Sequence, residues 1–448
     1  MIFLLDIILL INLITAFYSF KNILAPPVLM GAGMLLASMV STSYYEEFEM
    51  EYMQLESVLI LGLGTLFFTI CCILQKKQVN LIKLANNECL NLGKYKINNL
   101  TTLYVFLDVI AIVCFFLKMY SFMSFFGGNL SGSELIGEAK FDSSSGNLKF
   151  HFPTYIVLMA FLGRTMSFFT CWFLSISILS KDKHKFFRWL LFVHLFAIIL
   201  DGVTGGTKDV IFDPIFRFAV TFVFIYFAKR HSISINRKIV LSMIISFVIL
   251  FLGFKGLSAL IGRAGVEDRE TSDMFAEYLG AEIKNFDIYI QGYDGNPKNK
   301  YWGEATFHKF YQEIIPGYES VPGAFQDIGN YHLGNVYTQW FSFHKDFGEF
   351  GVILMTIIIA FISMFIFNNA QRILYHPMRP NLFLFIYSSI SMCIFMSFFS
   401  SRFTENVFTI IFIRRAIVLL ILIFIFEHST LFRNKRNKHL LKKINANG

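Results

Sequence analysis

Charged residues are scarce in this chain. Asp, Glu, Lys and Arg make up 16% of its 448 residues, whereas hydrophobic residues make up 55%. Soluble domains contain about 25% charged residues, because a surface exposed to water has to be covered by polar groups. The scarcity of charge therefore argues against a soluble protein.

Cysteine is also scarce, and the first residues lack the pattern of a signal peptide. The six cysteines fall in apolar runs or in a basic connection: Cys71, Cys72, Cys89, Cys114, Cys171 and Cys393. Neither a disulfide framework nor a cysteine metal site is therefore predicted. The first residues have no basic segment and no small-residue cleavage site, so residues 2–20 are expected to be a retained span rather than a signal peptide.

The chain has instead a series of apolar runs of about twenty residues, the length at which a helix crosses a bilayer. They predict eleven spans, at residues 2–20, 26–43, 55–74, 100–119, 152–180, 189–205, 209–228, 239–256, 347–367, 381–400 and 407–426. The predicted fold is an all-α, polytopic membrane bundle in four parts: spans one to eight (1–256), a large extracytoplasmic loop domain (257–346), spans nine to eleven (347–426) and a basic cytoplasmic tail (427–448).

Basic residues are concentrated in every second connection between the predicted spans. The basic connections and tail lie at residues 76–96, 181–188, 229–238, 372–379 and 433–443, whereas the connection at 46–51 is acidic. By the positive-inside rule, eleven spans then place the N-terminus outside and the C-terminus in the cytoplasm of a bacterial-type cytoplasmic membrane. This topology explains the net charge of +8, so no nucleic-acid partner is predicted.

The connection 257–346 is long, net acidic and aromatic. Residues 271–273 (Thr-Ser-Asp) offer a helix N-cap, and apolar residues recur at helical spacing over 275–290. The opposite face is polar: Glu277, Glu282 and Lys284. This pattern predicts one amphipathic helix that lies on the membrane surface or covers a cavity mouth. The aromatic residues of the connection suit either sugar rings or an interfacial belt.

Arginine occurs near the middle of two predicted spans, as Arg164 in the fifth and as the pair Arg414–Arg415 in the last. A central arginine costs at least about 2.5 kcal/mol to insert, and it usually faces a cavity, a partner or a ligand. Adjacent residues on a helix diverge by about 100°, so both members of the pair cannot face one ligand. We predict Arg164 and Arg414 as substrate-binding residues, with Arg415 as the alternative to Arg414.

Three other polar positions have local explanations. Lys118 lies near a span end and is expected to extend its ammonium to the membrane surface. Asp213 and Arg217 are one helical turn apart and are expected to form an ion pair. Lys208 follows a glycine-rich turn and leads into a helix whose free amides favour anions, so it is a candidate for substrate binding, unless the turn is only a tight reversal.

Three groups of segments stand in a common order along the chain. The first is Thr-Gly-Gly-Thr-Lys-Asp at 204–209, the second is Tyr-Leu-Gly-Ala-Glu-Ile-Lys-Asn-Phe-Asp at 278–287 with Trp-Gly-Glu-Ala-Thr-Phe at 302–307, and the third is Gly-Asn-Val-Tyr-Thr-Gln-Trp at 334–340 with Asp-Phe-Gly-Glu-Phe-Gly at 346–351. Together they resemble the O-antigen polymerase family, which polymerises oligosaccharide repeat units. Lys208 departs from the Arg that the family often has there, and lysine does not offer bidentate phosphate binding.

The resemblance implies a GT-C-type membrane glycosyltransferase that uses no nucleotide sugar, no metal and no cofactor. Its substrates would be undecaprenyl-pyrophosphate-linked oligosaccharides of O-antigen or capsule biosynthesis, with membrane lipid and a chain-length regulator protein as further partners. A non-reducing-end hydroxyl of one repeat unit would attack the anomeric carbon of the growing chain and expel lipid pyrophosphate. This step needs cations near the pyrophosphate and a base near the hydroxyl.

The outer connection offers candidate cations for this chemistry. Arg263 and Arg269 are predicted as catalytic residues that act with Lys208 on the pyrophosphate. The alternative is that the two arginines are interfacial charges or pair with nearby carboxylates such as Glu267 and Glu270.

His332 is the predicted base, because imidazole titrates near neutrality and the related O-antigen ligases carry a histidine beside an Asn-x-Tyr motif in this stretch. Asn335, Tyr337 and Asp346 are predicted either to bind sugar hydroxyls or to cap the ninth helix. The other two histidines of the connection, at 308 and 344, are weaker candidates, and nothing beyond the number of histidines supports a metal site.

Three other functions fit part of the same pattern. An O-antigen ligase would share the chemistry and use a lipid A-core acceptor. A flippase or transporter would move the lipid-linked glycan without forming a bond, but the chain shows no repeats and has an outer connection that transport does not require. A sensor or anchor is disfavoured because no cytoplasmic domain is predicted.

Overall fold

The computed structural model describes the chain except for residues 80–83, 85–88, 128, 145–149, 181–183, 207, 234–252, 254, 257, 262–269, 293–294, 319–322 and 434–448, and except for the side chains of residues 141–144 and 208–210. Its helices are α1 (Ile2–Phe20), α2 (Pro26–Ser43), α3 (Leu55–Leu74), α4 (Ile97–Phe126), α5 (Gly132–Ser144), α6 (Thr154–Leu179), α7 (Lys185–Val203), α8 (Lys208–Arg230), α9 (Thr271–Leu279), α10 (Ala281–Ile290), α11 (Glu304–Ile314), α12 (Gln339–Ala370), α13 (Leu382–Phe395), α14 (Arg402–Val407) and α15 (Ile410–His428). One antiparallel hairpin joins β1 (Gln326–Ile328) to β2 (Tyr331–Gly334).

Eight of the described helices are long and apolar enough to cross a membrane: α1 to α4, α6 to α8, and α12. The segment 382–398, which contains α13, is a shorter apolar helix. Helix α15 has 19 residues, and Arg414 and Arg415 interrupt its apolar run. The protein is therefore a membrane-embedded helical bundle, as predicted, while the predicted span at 239–256 lies almost wholly outside the described residues.

Local signals explain where several helices begin. Pro26 occupies the first turn of α2, where its missing N–H breaks no helical bond. The Asn381 side chain accepts the N–H of Leu384 at 3.1 Å and so caps α13. The Thr409 hydroxyl accepts the N–H of Phe412 at 3.2 Å and caps α15 in the same way.

Glycine permits the closest approaches between helices of the bundle. Helix α1 packs on α2 and α3, α4 packs on α7, and α12 packs on α3 and α13. Gly33 of α2 lies against the backbone of Phe395 in α13, and Gly64 of α3 lies against the Trp340 indole of α12. Because lipid tails are as apolar as the helices, close contact rather than exclusion of water holds such helices together.

The segment predicted as one amphipathic helix forms two helices, α9 and α10, that pack against α2. Glu282 and Lys284 of α10 are 1% and 3% exposed, so the prediction that they form an outward polar face is wrong. Pairing with the first helices explains part of this burial. The Lys284 ammonium donates to the backbone oxygen of Glu49 at 2.9 Å, and Asp287 accepts the Ser57 hydroxyl at 2.7 Å.

Helix α10 also holds the chain that follows the hairpin. The Asn285 side chain donates to the backbone oxygens of Leu333 and Val336 at 3.0 and 2.8 Å. Both Glu282 carboxyl oxygens are buried without a hydrogen-bond partner in the described part of the chain, and this burial raises the pKa of Glu282 well above its ordinary value. The motif at 278–287 therefore joins the residues that follow the hairpin to the part of the bundle formed by α2 and α3.

The helix of the ninth predicted span begins earlier than predicted. Helix α12 starts at Gln339 rather than at 347, and its helical course breaks at Gly348, where φ is +65°. Residues with a side chain rarely adopt this backbone conformation. Gly348 thus separates a short first segment, which contains the buried Trp340 and Phe343, from the longer apolar segment that follows.

The contact between α2 and α13 can be tested with Gly33→Ala. An added Cβ would overlap the Phe395 backbone oxygen, so we expect a loss of stability of about 1–3 kcal/mol. Gly31→Ala in the same helix is the matched control, because its nearest neighbour would lie at 3.4 Å. Thermal unfolding in detergent measures both variants, and equal unfolding temperatures would contradict this packing.

Candidate functional site

Four arginines line a cavity inside the bundle, which we call the inner cavity. They are Arg164 of α6, Arg217 of α8, Arg402 of α14 and Arg415 of α15. The cavity has a volume of about 150 Å³, and Asp213 is the carboxylate among the described residues of its wall. Charged side chains are costly inside a membrane bundle, so their convergence on one cavity indicates a functional site.

Arg164 and Arg217 are held by carboxylates on α7 and α8. Arg164 donates to Asp201 from Nε at 2.9 Å and from Nη2 at 2.8 Å. Arg217 forms the predicted ion pair with Asp213, and that prediction is confirmed. The Arg217 guanidinium also lies 3.8 Å from the ring centre of Phe168. Both arginines are therefore fixed in place before any ligand enters.

Arg415 differs from the other three arginines. Arg402 pairs with Glu405 at 3.5 Å, whereas no carboxylate in the described residues pairs with Arg415. The Nε of Arg415 is buried and has no hydrogen-bond partner among them. The Nε of Arg217 is in the same state, so the feature that sets Arg415 apart is the lack of a paired carboxylate in the described residues.

The neighbouring Arg414 was the predicted member of the pair. Its side chain is exposed and does not belong to the wall of the inner cavity, because adjacent positions on α15 point in different directions. The structure thus places Arg415, the alternative, at the site together with Arg164.

The Lys118 side chain does not have the position that the sequence predicts. Its side chain is 7% exposed, and its ammonium contacts the carboxylate of Asp201 instead of extending to the membrane surface. The other oxygen of Asp201 binds Arg164, so one buried carboxylate joins two cations. The prediction that Lys118 snorkels is therefore wrong, because a buried partner on α7 replaces the water that snorkelling would reach.

A second cavity, which we call the outer cavity, adjoins the first. Its volume is about 270 Å³, and its wall combines charged, amide and aromatic groups that include Lys298, His308, Asn335 and Phe341. Helix α11, the first segment of α12, the residues after β2, and α14 contribute to this wall. Arg402 lines both cavities, so the two cavities meet at its side chain.

His308 of α11 is the histidine of the outer cavity within the described residues. Its Nδ1 lies 3.3 Å from the backbone oxygen of Ala305, which favours a proton on Nδ1 and a lone pair on Nε2. Burial lowers the pKa of His308, and the negative charge of Glu405 offsets part of that effect. A neutral imidazole with a lone pair on Nε2 is suited to accept a proton.

Glu304 lies in the wall of the outer cavity and holds neighbouring residues by hydrogen bonds. Its carboxylate accepts the Tyr318 hydroxyl at 2.9 Å and the N–H of Tyr301 at 3.2 Å, and it also bonds the N–H of Lys300. Burial acts to raise the pKa of Glu304, but these hydrogen bonds lower it below its ordinary value. Burial and the bond to Glu304 raise the pKa of Tyr318. Glu304 therefore stays ionised and occupied by its partners.

Asn335 and Tyr337, two of the predicted sugar-binding residues, line the outer cavity. The Tyr337 hydroxyl donates to the backbone oxygen of Ala324 at 3.0 Å and accepts the Asn296 amide at 3.1 Å. Its ring stacks on Phe341 with 4.2 Å between ring centres. Tyr337 thus holds the wall in place, beside Asn335.

Asp346, the third such residue, caps a different helix from the one predicted. It accepts the backbone N–H groups of Ala305 and Thr306 at 3.1 and 2.6 Å, at the start of α11. At the other end of α11, Glu313 accepts the N–H of Ile411 at 3.3 Å, at the start of α15. Carboxylates therefore tie α11, which carries His308 and Glu304, to both α12 and α15.

His332 lies in the hairpin. Its Nδ1 is 2.6 Å from a carboxylate oxygen of Asp327, and the two side chains are 76% and 61% exposed. Neither residue belongs to the walls of the two cavities. The Lys208 side chain, Arg263 and Arg269 lie outside the described residues, so their roles stay predictions.

The fold and the two cavities define a membrane-embedded helical bundle with an arginine-lined cavity that shares Arg402 with a polar, aromatic cavity. Comparison of the chain with family models, with curated proteins and with solved structures found no match.

The tie between α11 and α12 can be tested with Asp346→Ala. Loss of this cap is expected to cost about 1 kcal/mol of stability, since two N–H groups of α11 lose their acceptor. Asp327→Ala, which removes an exposed carboxylate, is the control, and surface changes usually stay within about 0.5 kcal/mol. Thermal unfolding in detergent compares them, and an unchanged Asp346→Ala variant would rule out the capping role.

Proposed function

We propose that the protein is a polymerase of lipid-linked oligosaccharide repeat units. It would transfer a growing glycan from undecaprenyl pyrophosphate to the non-reducing end of a new lipid-linked repeat unit. The observation that carries this proposal is the arginine-lined inner cavity, which Arg402 joins to an outer cavity suited to sugars. The resemblance of three groups of segments to the O-antigen polymerase family supports it.

The inner cavity suits a pyrophosphate group. Guanidinium groups bind phosphate oxygens through paired hydrogen bonds, and four of them converge here. A small apolar pocket lined by Phe168, Ile386 and Leu419 shares Arg415 with the cavity. An isoprenoid chain attached to the pyrophosphate therefore has an apolar surface directly beside the cations.

The outer cavity suits the sugars. Aromatic side chains such as Phe341 and Phe399 offer faces for the C–H groups of sugar rings. Asn299 and Asn335 offer both donors and acceptors for hydroxyl groups. The glycosidic phosphate ester would then lie near Arg402, where the two cavities meet.

The proposed reaction assigns a role to each cavity. The acceptor hydroxyl oxygen attacks the anomeric carbon and forms the new C–O bond, while the bond from that carbon to the pyrophosphate oxygen breaks. The bonding electrons leave with the pyrophosphate, whose added negative charge the arginines stabilise. His308 takes the hydroxyl proton on Nε2.

The proposal includes a location and an orientation. The alternating basic connections support eleven spans in a bacterial cytoplasmic membrane, with the C-terminus in the cytoplasm. In that orientation α9 to α11 and the hairpin lie on the outer side, where a lipid-linked glycan meets both cavities.

The base can be tested with His308→Gln, and His332→Gln is the matched control. Polymer formed from a defined lipid-linked repeat unit in reconstituted membranes is the measurement. We expect His308→Gln to lower the rate about 10²–10⁴-fold, as removal of a general base does, and His332→Gln to leave it unchanged. Normal polymer from His308→Gln would exclude His308 as the base, and loss of polymer with His332→Gln alone would restore His332 as the base.

The rate should also depend on pH in a defined way. The neutral form of His308 is the active base, and its pKa is lowered by burial. Activity should therefore persist below the ordinary histidine pKa and fall only as the pH drops through the lowered value.

In the same assay, a lipid A-core acceptor separates this activity from that of a ligase: product with that acceptor alone would overturn the proposal.

The anion site can be tested with Arg415→Gln against Arg414→Gln. Both variants lose one arginine from α15, but only Arg415 lines the inner cavity. We expect Arg415→Gln to reduce turnover about 10²–10³-fold, as loss of a donor to a developing charge does. Arg414→Gln should retain near-normal turnover, and the reverse pattern would exclude the inner cavity as the anion site.

A further inference from the structure

A buried lysine lies behind the inner cavity without reaching it. Lys118 of α4 contacts one carboxylate oxygen of Asp201, and Arg164 binds the other oxygen. The side chains of Lys118, Asp201 and Arg164 are 7%, 3% and 33% exposed. Within this triad, Arg164 alone lines the cavity.

Orientation of Arg164 by a carboxylate has an electrostatic cost. Asp201 fixes the guanidinium through two hydrogen bonds, but its negative charge also cancels the charge that the cavity would present to an anion. A second cation on the same carboxylate removes that cancellation. Lys118 occupies this position, so Arg164 can be fixed and remain effectively positive.

The charges around the inner cavity show the consequence. In the described part of the chain, the four cavity arginines and their ion-pair network comprise five cations and three carboxylates, namely Arg164, Arg217, Arg402, Arg415, Lys118, Asp201, Asp213 and Glu405. The excess is two positive charges. A pyrophosphate esterified at both ends has one ionised oxygen on each phosphorus, about two negative charges at neutral pH, and the released lipid pyrophosphate carries about one more on its terminal phosphate.

We infer that Lys118 is a positioning residue that sets the charge of the inner cavity: it compensates Asp201, so that Asp201 orients Arg164 without neutralising it. A purely structural role does not require the lysine. An apolar side chain at 118 would still leave Asp201 paired with Arg164, so no buried carboxylate would be left without a cation. This inference rests on the proposed function, which supplies the lipid pyrophosphate as the ligand of the inner cavity.

Binding of undecaprenyl pyrophosphate to the full chain in nanodiscs, measured over a range of NaCl concentrations, tests the inference. Lys118→Met should weaken binding about tenfold or more and reduce its dependence on salt, because one net positive charge is lost. Lys118→Arg should restore binding to within about threefold of the original. Lys77→Met, which removes an exposed lysine, is the control for total charge.

The double variant Lys118→Met/Asp201→Asn gives the sharpest test. It restores the excess of two charges, and the asparagine oxygen can still accept a hydrogen bond from Arg164. If Lys118 sets the charge of the inner cavity, the double variant should therefore bind undecaprenyl pyrophosphate more tightly than Lys118→Met alone. A structural role requires the opposite, since the double variant has lost both members of the contact.

Two results with the variants would overturn the inference. One is unchanged binding by Lys118→Met, and the other is a folded double variant that binds as weakly as the single one. If the original chain binds undecaprenyl pyrophosphate but makes no polymer, the proposed function fails while the charge-setting role stands. If the original chain does not bind this lipid at all, the charge-setting role fails.

Discussion

The structure depends on holding positive charge inside a membrane-embedded helical bundle. A guanidinium in that environment has lost most of its water, so carboxylates, hydrogen bonds and aromatic faces must replace it. Asp201, Asp213 and Glu405, on three different helices, do so for three of the four cavity arginines. Because the cations outnumber the carboxylates among the described residues, the converging helices enclose an excess of positive charge.

Carboxylates also hold α10 and α11 against the bundle. Asp346 and Glu313 are used to hold the two ends of α11, and Asp287 is used to hold α10 on the start of α3. These contacts fix α11 over the bundle, with one side toward the outer cavity. The cavity walls are therefore formed by elements that are far apart in sequence but are joined to one another by buried hydrogen bonds.

Several features of the fold follow from local properties of the chain. The long apolar runs predicted the membrane helices, because in lipid a helix satisfies its own backbone hydrogen bonds and needs no partner to do so. The insertion cost of a central arginine singled out Arg164, and helical spacing paired Asp213 with Arg217. Amphipathic patterning failed for Glu282 and Lys284, because in α10 the apparently exposed face packs against other helices and is buried.

Local properties of the sequence could not decide which of the candidate residues lie at the site. Whether Arg414 or Arg415 faces the cavity depends on how α15 is rotated against its neighbours, and His308 enters the site only because α11 is capped from α12 and α15. Lys118 gave no signal, since a lysine near the end of a span is equally consistent with snorkelling. Local sequence thus decided which segments are helical and embedded, whereas long-range packing decided which charges meet, because a meeting of side chains depends on the rotation and docking of several helices at once.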